Sequence, residues 1–284
     1  MTLRLGHAPA ARGVCAGRIR VVGAWRIRAS IHCLLVGVTI IMLSGLAGCA
    51  SAQTRGVVVN VNQALAGSEG QLIGVQGQVV ATESQVVLAS ALLESYPPQA
   101  GGAVLQVKGL ELTALVGLKS TAAQSGMAEV TWSDHPVVLE GKVKGGVLEV
   151  KTLPRVVEGV TAEVKVRFSP PSEPIAAGGL VWWIFDVTNV TASPLDLTFA
   201  NGQTAEVVLT QGGEEKYRWS DGKAFIEQIR VDTVEPGRKV SYVFNDVLQV
   251  EPGDYRLTAK VTASVGPEGT AAGLPEVATT ITVR

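Results

Sequence analysis

The sequence predicts an all-β protein, because its apolar residues are dominated by valine, leucine and alanine and its glycines fall in short clusters. Valine and threonine favour strands, since their branched Cβ atoms pack well on a pleated surface. Clustered glycines are typical of a chain with many tight turns. With 284 residues, the chain is long enough for two domains that each bury a core.

The first 48 residues differ from the rest and predict a signal peptide. Six arginines, with no aspartate or glutamate among them, precede the apolar run LLVGVTIIMLSGLAG at residues 34–48. This run is shorter than the ~20 residues that a membrane-spanning helix needs. A positive flank, a short apolar run and small residues at its end together indicate a secretory signal.

The end of the run, Leu46-Ala47-Gly48-Cys49, resembles the lipobox of bacterial lipoprotein signal peptides. The resemblance implies cleavage before Cys49 and attachment of diacylglycerol to its thiol. Residues 49–55 would then be a tether, and the protein would be lipid-anchored on the extracytoplasmic face of the cell membrane. The alternative is an uncleaved membrane anchor with a buried cysteine.

Few residues of the mature chain could bind a metal or act as a nucleophile. Of its three cysteines, Cys15 and Cys33 would leave with the signal and Cys49 would carry the lipid, so no disulfide is expected. One histidine, His135, remains after residue 48. These counts exclude metal sites of the Cys/His type, and no calcium-loop motif is present. We therefore expect no cofactor and no metal.

Residues 56–158 predict a small β-barrel. Strand-like segments begin with GVVVNVNQAL at residues 56–65, and Lys144-Gly145-Gly146 predicts a hairpin. The stretch LEGKVKGGVLEV is similar to the late strands of OB-like barrels, which often bind nucleic acids or sugars through aromatic and basic faces. This segment offers Tyr96 and Trp132 but few arginines, and the net charge of the chain is −1. We therefore expect no nucleic-acid partner.

Residues 162–284 predict a second domain, an antiparallel β-sandwich, since short strands and turns alternate at steady spacing. A Pro/Ser/Gly-rich stretch at residues 169–179 would suit a linker or the entry to this domain. In the strand VWWIFDVT, Trp183 and Phe185 share one face, which predicts that both lie in the core. Trp182 and Asp186 lie on the opposite face.

Four segments of this second half occur in an order that resembles the BsuPI family of intracellular proteinase inhibitors. They are FDVTNVTASPLDLTFANGQTAEVVLT, KYRWSDGKAF, VEPGRKVSYVF and EPGDYRLTA. The resemblance covers about residues 162–284 and implies an immunoglobulin-like sandwich that binds a protease. Two features depart from the family: this chain is predicted to be exported, and another domain precedes the matching one. No reactive-site residue is carried over.

The stretch EEKYRWSDGKAF, residues 214–225, holds a serine and a lysine but no base for nucleophilic catalysis. A serine nucleophile needs a base within hydrogen-bond reach, and His135 belongs to the other half. Asp221-Gly222 predicts a hairpin turn instead. Trp219, Asp221 and Phe225 are the candidate partner-binding residues. The sequence leaves open whether Trp219 is buried or is an exposed anchor for a partner.

Together these observations predict a non-enzymatic lipoprotein that binds a protein partner through its sandwich domain, with protease inhibition implied by the family. An alternative is a structural or interaction module of the cell envelope that has no protease target. A hydrolase is disfavoured, because the mature chain lacks cysteine chemistry and has one histidine.

Overall fold

The computed structural model describes residues 57–121, 128–266 and 271–284. The predicted signal peptide, Cys49 and the tether therefore lie outside the described residues. Residues 52–284 form one compact unit, and the regular secondary structure of its described part is almost all strand, which confirms the predicted all-β class. Among the described residues, no helix is long and apolar enough to cross a membrane.

The described residues of the first half form eight strands, one α-helix and one short 3-10 helix. They are β1 (Val58–Asn60), α1 (Val61–Gly67), β2 (Leu72–Thr82), β3 (Val86–Leu93), β4 (Gln99–Lys108), the 3-10 helix Leu112–Ala114, β5 (Leu118–Ser120), β6 (Val130–Ser133), β7 (Val137–Lys144) and β8 (Val147–Thr152).

Five of these strands close into a barrel of the OB type. β2 pairs with both β3 and β7, β3 pairs with β4, and β7 pairs with β8. A parallel contact between β4 and β8 closes the ring. The predicted hairpin at Lys144-Gly145-Gly146 is confirmed, since Lys144 pairs with Val147 and both glycines have positive φ, as a two-residue turn requires.

Helix α1 departs from the expectation that residues 56–65 are all strand-like. The side-chain oxygen of Asn60 accepts a hydrogen bond from the Gln63 amide at 2.9 Å, and the Gln63 side chain accepts one from the Asn60 amide at 3.0 Å. This capping box satisfies two free amides and starts the helix at Val61. The helix buries Val61 and Ala64 against the barrel core.

In the second half, the residues that the structure describes form twelve strands in three four-stranded sheets. Their bounds are β9 (Val157–Val160), β10 (Val164–Ser169), β11 (Leu180–Asn189), β12 (Leu195–Phe199), β13 (Ala205–Gln211), β14 (Glu214–Arg218), β15 (Arg230–Val234), β16 (Lys239–Val247), β17 (Gly253–Val261), β18 (Ser264–Val265), β19 (Ala272–Gly273) and β20 (Val277–Val283). The sheet orders are β16-β11-β10-β9, β15-β12-β18-β19 and β14-β13-β17-β20.

The core of the second half confirms the predicted alternation along β11. Trp183 and Phe185 are fully buried. The ring of Phe168 lies 4.7 Å from that of Phe185 and 6.4 Å from that of Trp183, measured between centroids. This cluster is separate from the barrel core. The domain boundaries at residues 158 and 162 stay a prediction; β9 crosses the first of them and pairs with β10.

Asn189, at the end of β11, joins two connections of the sandwich, β11–β12 and β15–β16. Its side-chain amide donates to the carbonyls of Ser193 at 2.7 Å and Val234 at 2.8 Å, and its side-chain oxygen accepts from the Thr191 amide. The Gly237 amide donates to its backbone carbonyl at 3.0 Å. Asn189, which lies in the first of the four BsuPI-like segments, is therefore a structural residue of the fold.

The outer face of β11 contacts the barrel through a buried carboxylate. Asp186 is fully buried and accepts hydrogen bonds from the Gly117 amide at 2.9 Å, the Ser241 hydroxyl at 2.6 Å and the Lys239 ammonium at 2.6 Å. Beside it, an Arg167 guanidinium nitrogen donates to the Leu115 carbonyl at 3.3 Å. The loop that follows the 3-10 helix is thus attached to β10 and β11.

We expect Asp186→Ala to lower the free energy of unfolding by about 3 kcal/mol, because it leaves the Gly117 amide and the Lys239 ammonium without their buried partner. The control is Asp196→Ala, which removes one exposed hydrogen bond to Thr233 and should cost about 1 kcal/mol or less. Urea unfolding at neutral pH measures both. Equal losses for the two variants would contradict the role assigned to Asp186.

Candidate protein-binding site

The three candidate residues Trp219, Asp221 and Phe225 lie in one irregular loop, residues 219–229, between β14 and β15. A turn does form at Asp221-Gly222: the Lys223 amide donates to the Ser220 carbonyl at 3.1 Å, and Gly222 has a φ of 69°. No strand follows before Arg230, however, so the predicted hairpin is wrong. The hairpin of this region lies one strand earlier, where Gly212-Gly213 connects β13 to β14.

Trp219 supports the loop from inside the sandwich. It is 8% exposed, and its ring lies 4.3 Å from that of Phe244 and 5.7 Å from that of Phe225. This decides between the two alternatives that the sequence left open: Trp219 is buried and is not an exposed anchor. Asp221 is exposed and Phe225 is half-buried, and their contact with a partner stays a prediction.

A buried carboxylate holds the start of the loop. Glu206 accepts hydrogen bonds from the Ser220 hydroxyl at 2.6 Å and the Ser220 amide at 3.2 Å. Gln203 and Arg218 donate to the same carboxylate at 3.2 and 3.3 Å. Such charge-assisted bonds are stronger than neutral ones. Because its hydroxyl is bonded to a carboxylate and no histidine contacts it among the described residues, Ser220 is a loop anchor in this structure.

Lys223 is attached to the neighbouring strand β16. Its ammonium lies 2.8 Å from an Asp246 oxygen and 5.2 Å from the centre of the Trp219 ring, and the Tyr217 hydroxyl donates to Asp246 at 2.9 Å. Burial alone would raise the pKa of Asp246, but the hydrogen bonds from Lys223 and Tyr217 outweigh it and lower that pKa. The lysine is therefore paired with a carboxylate, which does not suit a Ser–Lys base.

The far end of the loop is held by a backbone contact and a stacked arginine. The Gly202 amide donates to the Ile226 carbonyl at 2.8 Å, and a Cβ on Gly202 would lie only 2.8 Å from the Ile226 side chain. The Arg230 guanidinium lies 4.3 Å from the centre of the Phe199 ring and pairs with Asp232 at 2.9 Å. The loop is consequently ordered by contacts at its start, middle and end.

The loop and the start of β15 together expose three apolar side chains, Ile226, Ile229 and Val231, which we call the apolar ridge. Their side chains are 68%, 70% and 51% exposed, respectively. Single exposed apolar residues are common on protein surfaces, but three within six residues of an ordered segment are a candidate contact surface. Strand β15, which carries Val231, pairs with β12 and with no second strand in the part of the chain that the structure describes.

Sequence reasoning missed both the ridge and its support. The ridge follows Phe225 in the stretch KAFIEQIRV, where Ile226 and Ile229 match neither a strand period nor a complete helical one. That mismatch was the available signal for an exposed apolar loop. The carboxylate of Glu206 gave no signal, because it lies in strand β13 and reaches the loop only through the fold.

Comparison with known protein families finds a match to part of the chain. The BsuPI family, described as intracellular proteinase inhibitor, matches residues 176–265, a segment that includes the whole loop and its supports. This match is shorter than the segment of about 162–284 that the motifs suggested. No curated protein matches the sequence. Within the described residues, no group of three or more histidine, cysteine, aspartate or glutamate side chains is placed to hold a metal ion.

Several solved structures resemble parts of the chain weakly. The CARDB domain of a Pyrococcus furiosus protein is 15% identical, with 43% of this chain and 94% of that one covered and a TM-score of 0.26. The C-terminal domain of wzt is 15% identical over 46% of this chain and 79% of that one, with a TM-score of 0.31. Spo0M, a sporulation control protein from Bacillus subtilis, is 15% identical over 44% and 50%, with a TM-score of 0.28. At these scores the similarities carry no functional conclusion.

We expect Glu206→Ala to loosen the loop without unfolding the sandwich. Removing the carboxylate leaves the Ser220 hydroxyl and amide unpaired, and we expect a loss of about 2 kcal/mol in stability. Amide hydrogen exchange within residues 219–229 should accelerate at least tenfold, whereas exchange in β11 should change much less. The control is Glu214→Ala, because Glu214 is exposed and pairs only with Lys216 among the described residues. Unchanged exchange in the loop of Glu206→Ala would contradict the anchoring role.

Proposed function

We propose that this protein is a non-enzymatic, membrane-anchored lipoprotein that binds a protein partner through the loop 219–229, and that the partner is a protease which it inhibits. The observation that carries the proposal is the apolar ridge, since Ile226 and Ile229 are largely exposed on a loop held at both ends. The family match at residues 176–265 supports a protease as the partner.

The geometry suits inhibition by occupancy of a substrate cleft. Proteases bind extended segments, and the residues between Lys223 and Ile229 have no regular secondary structure. Because the loop is already ordered, it loses less conformational entropy on binding than a free peptide does. Each isoleucine would contribute about 1.5–3 kcal/mol if it were fully buried by the partner. No covalent step is needed.

Membrane anchoring is a second part of the proposal and rests on the sequence. Two acyl chains on Cys49 would give stable attachment, whereas one chain gives only marginal binding. The tether, residues 49–55, would reach about 24 Å when fully extended. A partner protease would then act close to the extracytoplasmic surface of the membrane.

The second candidate is an interaction module of the cell envelope without a protease target. The family match favours this candidate because it covers only residues 176–265 and does not include the barrel. In this case the same ridge contacts a different protein. The two candidates predict the same surface and differ only in the identity of the partner.

Casein hydrolysis by a panel of serine and metalloproteases tests the inhibitor proposal. The protein from residue 50 onward should slow at least one protease and stay intact. Ile226→Glu combined with Ile229→Glu should weaken that inhibition at least a hundredfold, because two charges would have to be buried in the contact.

The matched control for this assay is Val160→Glu, a change at a 65% exposed apolar residue of β9 outside the loop, and it should inhibit like the unaltered protein. If no protease is slowed, the inhibitor proposal fails. A pull-down from envelope extract then tests the interaction module. This candidate is favoured if the unaltered protein and Val160→Glu retrieve the same envelope protein and the double variant does not.

The lipid anchor is tested by Cys49→Ser in the full-length chain. We expect loss of incorporated palmitate label and a shift of the protein from the detergent phase to the aqueous phase, because the acylated thiol is gone. Cys33→Ser should keep both properties. Label and detergent partitioning that persist in Cys49→Ser would rule out the lipobox.

A further inference from the structure

A cleft between the barrel and the outer face of β11 contains two neighbouring cavities of about 150 and 260 Å³. Both belong to the compact unit of residues 52–284. They share six wall residues: Val58, Val138, Pro154, Pro170, Pro171 and Ser172. The cleft is separate from the loop 219–229, since none of its described lining residues belongs to that loop.

The larger cavity is uncharged. None of its described lining residues is an aspartate, glutamate, lysine or arginine, and most are apolar. His135, which lines it, is neutral at physiological pH because burial lowers its pKa to about 4. The His135 ring is buried, and its Nδ1 has no hydrogen-bond partner in the described structure. An ion in this cavity would lose hydration without gaining an opposite charge.

Trp182 provides a flat aromatic wall in the same cavity. It is half-buried on the outer face of β11, and its ring lies 6.4 Å from that of His135 at an angle of 40°. The inner-face neighbour Trp183 is fully buried and packs against Phe168. Core packing therefore explains Trp183, whereas the surface of Trp182 that faces the cavity is available to a ligand.

The smaller cavity is polar. Glu140, Arg155 and Glu173 are among its lining residues, and Arg155 lies 3.6 Å from a Glu173 oxygen while donating to the Thr280 carbonyl at 3.0 Å. The cleft thus combines an apolar interior with a charged neighbouring chamber. Small-molecule sites commonly lie between domains, with mostly apolar walls and a few polar groups.

We propose that the larger cavity binds a small neutral molecule that carries an aromatic ring, which packs against Trp182. Aromatic rings prefer offset or edge contacts with one another, and these add to the energy of apolar burial. The cavity volume of about 260 Å³ suits one ring or two fused rings. The walls are already in place, because prolines line the cleft and Asp186 and Arg167 attach the barrel to the sandwich beside it.

Indole and indole-3-carboxylate form a matched pair of probes, since they share a ring and differ by one negative charge. Both are titrated against the protein from residue 50 onward, with the indole N–H resonances of the ¹⁵N-labelled tryptophans as readout. We expect saturable binding of indole with a Kd on the order of 1 mM or tighter. Indole-3-carboxylate should bind at least tenfold more weakly.

Two variants and one control locate the site. Trp182→Ala removes the aromatic wall, and Val138→Phe fills the cleft from the barrel side; each should weaken indole binding at least tenfold. Tyr96→Ala alters an exposed aromatic residue that is not part of the cleft lining and should bind indole like the unaltered protein.

Three outcomes would overturn the proposal: no saturable binding of indole, equal affinity for the carboxylate, or equal weakening by Tyr96→Ala and Trp182→Ala. If Trp182→Ala does not fold, Val138→Phe decides, because folded Val138→Phe that binds indole with unchanged affinity also overturns it.

Discussion

The buried carboxylate of Asp186 is the interaction on which the arrangement of the two halves depends. A fully buried charge is costly unless it is paired and hydrogen-bonded, and Asp186 meets both conditions through Lys239, Ser241 and the Gly117 amide. Gly117 belongs to the barrel half, and it has a φ of 79° with no room for a Cβ between Ile184 and His135. The carboxylate therefore requires the barrel loop in one position, which also shapes the cleft beside Trp182.

Hydrogen-bonded carboxylates also support the loop 219–229, on the other side of the sandwich. Glu206 and Asp246 are carboxylates of strands β13 and β16, and each accepts several hydrogen bonds from residues of the loop or its flanks. Their contribution lies in geometry, since such groups fix the positions of their donors. The apolar ridge can consequently stay exposed without collapsing onto the core, because its backbone is held by polar contacts on either side.

The sequence predicted the structure correctly where the structure follows from a local pattern of residues. Alternation along VWWIFDVT placed Trp183 and Phe185 in the core, and Gly145-Gly146 gave the barrel hairpin. It failed at Asp221-Gly222, because a turn motif does not specify whether a strand follows, and Phe225 packs back onto Trp219. It could not reveal Asp186 or Glu206 as organising groups, since the Gly117 amide and the Ser220 hydroxyl that donate to them are 69 and 14 residues away in the chain.

The proposed loop site and the proposed cleft share one sheet but use opposite faces of it. Phe244 of β16 pairs with Trp183 of β11 and packs against Trp219 at the base of the loop. Trp182, the residue before Trp183 in β11, points away from that core and toward the cleft. Because successive side chains of a strand face opposite sides, a substitution of Trp182 removes a cleft wall while Trp183 and the loop supports keep their contacts. The two sites are thus physically separable, and each proposal can fail without the other.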